Sequence, residues 1–250
     1  MVHGIEKFKE YFSKYSDQYV LIGGTASDIL MTEMGVPFRA TKDLDIVLIV
    51  EALDSYFIKD FWNFIEEGGY EYRERNTGKE QFYRFSNPKH LSFPKMIELF
   101  SKRPVNFNLK FESGLIPIHV EESIVSLSAI LLDDAYYNLL LEGKTIVEGY
   151  SVLKIETIIL FKIKAWLDLS ERKREGESID SKNIKKHKND IFRLLVNVDP
   201  SKRINKQKEI TNDLMHFNEL IYNDKPDLKN LGIRGANFEE LMRLFRKIFL

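Results

Sequence analysis

Tyr19-Val20-Leu21-Ile22-Gly23-Gly24-Thr25-Ala26-Ser27-Asp28 and, a short way on, Arg39-Ala40-Thr41-Lys42-Asp43-Leu44-Asp45-Ile46-Val47-Leu48 decide the fold of this chain. The first stretch is an apolar segment running into a glycine turn, with a helix starting directly behind it. A helix start leaves backbone N–H groups without intrahelical partners and carries partial positive charge, which suits a phosphate. The second stretch reads as a strand bearing two carboxylates one residue apart. Side chains alternate along a strand, so Asp43 and Asp45 share a face, about 7 Å apart along the chain. Leu44 and the run Ile46 to Val50 around them mark a buried central strand. Strands are poor in Asp, and two like charges on a buried face repel unless a cation sits between them. Two carboxylates facing an anion-binding turn are able to hold Mg²⁺ against the phosphates of a nucleotide.

In this order and spacing the residues resemble the signature of the nucleotidyltransferase-fold superfamily: Gly-Gly/Ser, a helix, then Asp-x-Asp on a strand. Gly23, Gly24, Thr25, Asp43 and Asp45 carry the resemblance, with Arg39-x-Thr41 leading into the acidic strand. Many members have Ser where Thr25 stands, which keeps the hydroxyl. The resemblance implies an α+β (α/β) fold, a mixed sheet with flanking helices followed by a mainly helical C-terminal region. It places the phosphates of an NTP over Gly23, Gly24 and Thr25, with Arg39 and Thr41 either positioning phosphate or pinning the loop. It also implies a third acid from a neighbouring strand. Lys95-Met96-Ile97-Glu98-Leu99-Phe100 sets Glu98 as a lone acid among apolar residues in about that place, while Glu112, Glu121 and Glu122 are less well placed. The implied metal ligands are Asp43, Asp45 and Glu98, the ion Mg²⁺ or Mn²⁺, and the implied task of Glu98 is general-base work on the acceptor.

A second pattern lies further along. Ile155, Ile158, Ile159, Lys162, Trp166 and Leu169 follow helical spacing, so Lys162 is a charge on an apolar stripe, whereas Lys164 lies off it. A lysine whose stem covers the core accounts for such a residue without any function. Downstream, Asp190 stands beside an apolar face in the basic stretch Lys185 to Leu195. Lys162-Ile163-Lys164-Ala165, a charged loop and then Asp190 resemble the AbiEii/MenT-like branch, which contains nucleotidyltransferase toxins of abortive-infection and toxin–antitoxin systems. That branch implies Lys162 at the phosphates of the incoming nucleotide, and Asp190 orienting the lysine or contributing acid/base chemistry. It implies an acceptor hydroxyl on RNA, such as a tRNA 3′ end, or on protein, and an antitoxin as partner. The alternative is a catalytically inert nucleotide- or partner-binding member of the same fold, against which the intact acid pair argues.

With 250 residues, 44% hydrophobic and 30% charged, the chain has the composition of an ordinary globular protein able to bury a sizeable core. A formal net charge of −1 gives no global attraction to nucleic acid, so RNA contact requires a local basic patch. The absence of cysteine excludes disulfides and thiolate metal sites, and no histidine pair has zinc-ligand spacing. No apolar run approaches the roughly 20 residues of a membrane span, and the first ten residues lack a signal-peptide core. A cytoplasmic protein without membrane contact is expected.

Periodicity predicts helices over 5–16, 25–34 (with Thr25 as cap) and 56–67, and strands over 19–22, 43–50 and 95–100. Residues 70–75 and 81–85 read as a hairpin, and 107–111 and 116–120 as sheet-edge strands. Helices follow over 135–141, 155–169, 184–196, 206–223 and 237–250, with a charged insertion between 170 and 181. The expected division is a catalytic domain over 1–150 and a helical domain over 151–250 that contributes to the active site. Lys182, Lys185, Lys186, His187 and Lys188 read as a solvated helix face or a seat for an RNA backbone. Phe82, Tyr83 and Phe85 read as core.

Overall fold

The computed structural model describes residues 2–76, 81–102, 130, 131 and 133–250, and of residues 72–76 and 81–83 the backbone alone. The strands expected at 107–111 and 116–120, the acids Glu112, Glu121 and Glu122, and the side chains of Phe82 and Tyr83 lie outside the described residues. Two units are present: Met1–Val120 with Gly143–Lys154, and Glu121–Glu142 with Ile155–Leu250.

The first unit is built on a mixed sheet. Its strands are β1 (Tyr19–Leu21), β2 (Asp43–Leu48), β3 (Glu71–Asn76), β4 (Gln81–Ser86), β5 (Met96–Ser101), β6 (Lys144–Val147) and β7 (Tyr150–Leu153). Among the described residues they lie in the order β3-β4-β5-β2-β1-β7-β6. The acidic strand β2 is therefore central, antiparallel to β1 and parallel to β5. Its apolar run explains this: Leu44, Ile46, Val47 and Leu48 are fully buried, which only an interior strand provides. Helix α1 (Ile5–Phe12) and helix α3 (Ser55–Gly68) bring Phe8, Phe12, Phe57, Phe61 and Phe64 into one aromatic cluster. Phe8 stacks on Phe12 at 4.5 Å and meets Tyr19 of β1 edge-on at 5.3 Å, which ties the helices to the sheet. Each such ring pair adds about 0.5–1.5 kcal/mol beyond its area burial. Phe85 joins the same core, edge-on to Phe61 at 5.4 Å.

The hairpin β6–β7 was not expected from sequence. It turns on Glu148 and Gly149, both at positive φ (48° and 84°), the backbone that a two-residue hairpin loop needs. β7 then pairs in parallel with β1. The boundary expected at residue 150 falls inside this hairpin, while helix α4 (Asp134–Glu142), which precedes it in the chain, belongs to the second unit.

That second unit is helical among the described residues: α4, α5 (Ile155–Arg174), α6 (Ser181–Leu195), α7 (Lys208–Leu220) and α8 (Phe238–Phe249). Helix α5 continues through Arg174, so the first part of the expected charged insertion is its exposed last turns. Asp180 then caps α6 by accepting from the Lys182 amide at 2.8 Å. Trp166 of α5 meets Phe217 of α7 at 5.4 Å, and Phe217 meets Phe245 of α8 at 5.3 Å. The chain thus has the α+β class and the helical C-terminal region that the sequence implied. Among the described residues, no helix is long and apolar enough to cross a membrane.

Candidate active site

Helix α2 (Gly23–Glu33) starts directly at the glycine turn. Gly23 sits at φ +64°, where an L side chain is strained, and a β-carbon there would fall on the Asp45 carboxylate at Oδ2. At Gly24 a β-carbon would stand 2.6 Å from Thr41 Oγ1 and 3.5 Å from Arg39 Nη2. The glycines are therefore required by close approach, and what approaches them is the side chains of Arg39, Thr41 and Asp45. Backbone bonds lace the two segments together: the Ile22 amide donates to the Asp45 carbonyl at 3.0 Å.

Thr25 holds the same junction in a way the sequence did not foretell. It lies inside α2, whose N-cap position is taken by Ile22. There it is fully buried, and its hydroxyl donates to the Asp43 carbonyl at 2.7 Å, fastening the elbow to the acidic strand. The expected capping role is thus replaced by a tertiary one.

Asp43 and Asp45 are half-buried and share a face of β2. Across the sheet Asp45 pairs with Glu98 of β5, and Glu98 pairs with Arg84 of β4. Arg84, Glu98 and Asp45 consequently form one lateral row on one face of three adjacent strands. Arg84 donates from Nε at 3.0 Å and from Nη2 at 2.7 Å, both to Oε1 of Glu98. Burial raises the Glu98 carboxyl above the ordinary carboxylate range; Arg84 pulls it down, and the Asp43 charge pushes it up. Glu98 is also within hydrogen-bond reach of Asp45.

These residues fit a divalent cation in one respect and depart from expectation in another. Two carboxylates beside an anion-binding elbow suit Mg²⁺, which is commonly held by one or two carboxylates with substrate phosphates supplying the rest. Among the described residues, however, no three His, Asp or Glu side chains are gathered as a metal-ligand set. Glu98, expected as the third member of that set, lies beside Asp45 and donates nothing to it but shares its own Oε1 with the Arg84 guanidinium. Sequence reasoning missed Arg84. The available signal was a lone basic residue in an aromatic strand, opposite a lone acid in the next, but it required the register of that pairing.

Lys162 and Asp190 belong to the second unit and meet there. Lys162 Nζ lies 2.9 Å from Asp190 Oδ2, with the two side chains 6% and 0% exposed. Arg193 Nη1 stands 3.4 Å from the other Asp190 oxygen. Off the apolar stripe, Lys164 pairs with Asp213 at 2.9 Å, and Tyr136 donates to the same carboxylate at 2.8 Å. In the basic cluster Lys182, Lys185 and Lys186 are exposed, whereas Lys188 is buried and donates to the Asp224 carbonyl at 3.0 Å.

No family model matches the chain, and no curated protein matches it. Among solved structures, the chain is similar to an antigenic nucleotidyltransferase-like protein from Paracoccidioides brasiliensis. That likeness spans 92% of this chain and 93% of the other, at 16% identity and a TM-score of 0.41. The Megavirus polyadenylate synthase is similar over 96% of this chain and 47% of its own, at 12% identity and a TM-score of 0.35. MenT4, a nucleotidyltransferase toxin from Mycobacterium tuberculosis, is similar over 92% and 84%, at 12% identity and a TM-score of 0.22.

Proposed function

We propose that this chain is a nucleotidyltransferase that moves a nucleoside monophosphate from an NTP to an acceptor hydroxyl. The observation that carries the reading is the packing of the Asp45 carboxylate and the Thr41 and Arg39 side chains against the Gly23-Gly24 elbow. It brings an anion-binding helix start and a carboxylate pair to one spot, as transfer from a triphosphate requires. The elbow amides and Arg39 bind phosphate oxygens. Asp43 and Asp45 would hold Mg²⁺ or Mn²⁺, which when bound supplies Lewis-acid polarisation of the phosphate undergoing attack. Glu98 receives the proton of the acceptor hydroxyl, and its burial makes it a stronger base than an exposed carboxylate. The acceptor oxygen bonds to the α-phosphorus, the bond from that phosphorus to its bridging oxygen breaks, and pyrophosphate leaves with the electron pair.

The acceptor is an RNA end, such as the 3′ end of a tRNA, or a protein hydroxyl. Action as the toxin of a toxin–antitoxin or abortive-infection pair, with an antitoxin partner, belongs to the same reading. The test offers each of the four α-labelled NTPs with Mg²⁺ to total RNA and to total protein. Label is expected on one acceptor class, with pyrophosphate released and both signals lost in Asp43→Ala. Labelling that survives Asp43→Ala overturns the assignment of the site.

A further inference from the structure

We propose that a cleft in the second unit is a binding site for phosphate groups. Lys173, Lys185, Lys188, Asn189 and Lys225 line it, and the phosphates belong to a nucleic-acid strand or to a free phosphorylated compound. None of these residues belongs to the site around the glycine elbow, so the cleft is testable whether or not the chain transfers nucleotide. Its volume is about 490 Å³, within the range of small-ligand clefts. One wall is a helical row. Ser181, Ile184, Lys185, Lys188 and Asn189 of α6 recur at the three- and four-residue spacing that sets side chains on one face. Lys173, in the last turn of α5, and the segment Asp224 to Asp227, which follows α7 in the chain, supply the rest.

Charge and donors select the ligand. Four lysines line the cleft against two aspartates, an excess of two positive charges, and a terminal phosphate carries about −1.5 to −2 near pH 7. Both aspartates are engaged locally. Asp224 accepts from Lys188, and Asp227 accepts from the Asn230 amide at 3.2 Å and from Asn230 Nδ2 at 2.7 Å. Lys188 is the unusual member, with its side chain only 8% exposed. Its ammonium donates to the Asp224 carbonyl at 3.0 Å and to the Asp224 carboxylate. An ammonium has three N–H donors, and the third has no acceptor among the described residues. A buried donor left over in this way is unfavourable until an acceptor reaches it. The Lys185 ammonium and the Asn189 carboxamide likewise have no partner among the described residues. Lys225, by contrast, is held in place: it pairs with Glu239 at 3.2 Å and stands 4.7 Å from the centre of the Phe238 ring. Lys173 donates to the Ser181 hydroxyl, which joins α5 to the first residue of α6. Fixed cations beside unused donors suit phosphate oxygens, with little further ordering needed on binding. On the same helix Lys182 and Lys186 are exposed and lie outside the lining, so the cleft divides the basic cluster in two.

The experiment uses the full chain at low ionic strength with a chelator present, so that no divalent ion takes part. It titrates a short fluorescent single-stranded RNA, read by anisotropy, and inorganic pyrophosphate, read by calorimetry. Wild type is compared with Lys185→Glu, Asn189→Asp and Lys186→Glu, and thermal unfolding is recorded for each. Wild type is expected to bind one probe or both. Lys185→Glu and Asn189→Asp are each expected to weaken that binding about tenfold or more. Lys186→Glu, which reverses the same charge one residue along, is expected to weaken it by no more than about threefold. The elbow at Gly23 is the same in all four proteins, so the differences among them report the cleft. Binding of the RNA that depends on Lys185 and Asn189 assigns the phosphates to a strand. In that case the slope of log affinity against log salt is expected to be shallower by about 0.7 in Lys185→Glu. Binding of pyrophosphate alone with the same dependence assigns them to a free compound. No binding of either probe, or equal losses in Lys185→Glu and Lys186→Glu, overturns the proposal, and the lysines are then a solvated face. Should Asn189→Asp fail to fold, the two lysine reversals still decide it, since both side chains are exposed.

Discussion

The row Arg84–Glu98–Asp45 in the first unit and the pair Lys162–Asp190 in the second both place ionisable side chains under cover, with opposite arithmetic. Asp190 receives two cations, Lys162 at 2.9 Å and Arg193 at 3.4 Å. Glu98 meets Arg84 and has two further carboxylates as neighbours, Asp43 in its field and Asp45 within hydrogen-bond reach. Opposite charges in contact offset much of each other's desolvation, so architecture alone accounts for the second arrangement. Converging like charges raise the free energy of the folded state, and only a ligand of opposite sign recovers it. The helix start at Gly23 gives Asp45 partial relief, since it presents positive dipole charge to an adjacent carboxylate. The contrast teaches where to look for function: at the site where carboxylates converge.

The largest effect that tests this contrast is on chemistry. Asp45→Asn keeps the shape of the side chain and removes its charge. Transfer is expected to fall by about 1,000-fold or more, equivalent to ~4 kcal/mol of barrier. Thermal unfolding is expected to stay level or rise, because a like charge has been removed; a large fall in melting temperature alongside the lost rate would break the contrast.

Next in size is the second arrangement. Lys162→Met removes the closest cation from a buried carboxylate, and is expected to cost about 3–5 kcal/mol in urea unfolding. Replacing both partners, as Lys162→Met/Asp190→Leu, is expected to restore most of that stability. If the double variant is stable and transfers nucleotide normally, the pair is a strut. If it is stable and inactive, Lys162 has the part in catalysis that the family resemblance implied.

Gly23→Ala probes the junction itself. The positive φ costs ~1–2 kcal/mol, and the added methyl displaces the Asp45 carboxylate, so stability and transfer fall together. The smallest effect comes from an exposed carboxylate that is satisfied locally. Asp54 caps α3, accepting from the Phe57 amide at 2.8 Å and from Gln18 Nε2 at 2.9 Å. The Phe57 bond first, then Gln18, hold its carboxyl below the ordinary range. A depressed pKa contributes stability that is fully present above the unfolded value and is lost as pH falls through the folded one. The melting-temperature gap between wild type and Asp54→Ala is therefore expected to be constant from pH 7 to 5 and to close at lower pH.

Much of this was legible in the chain because the informative signals are local. A glycine pair between an apolar segment and a helix, and two acids in an apolar run, each declare themselves within ten residues. Thr25 was legible as a polar residue at a helix start but not as a tie to Asp43, because that bond spans the whole of α2 and the loop behind it. Arg84 was illegible for a related reason: its partner is fixed by strand register, which periodicity leaves open. The hairpin β6–β7 carried a signal that was passed over. Lys144-Thr145-Ile146-Val147-Glu148-Gly149-Tyr150-Ser151-Val152-Leu153 is β-branched on one side of a Glu-Gly turn and apolar on the other, but it sits between two helices and suggested continuity with them.

The parallel pairing of β7 with β1 has a consequence for synthesis on the ribosome. β1 leads straight into the glycine elbow, and one flank of it is supplied by residues more than a hundred positions downstream. Until those residues emerge, β1 is an edge with open hydrogen-bonding groups, the kind of border that invites pairing with a stranger. A nascent polypeptide halted before Tyr150 would therefore carry the strand behind the glycine elbow with one flank open, so that the elbow's support is completed late in translation.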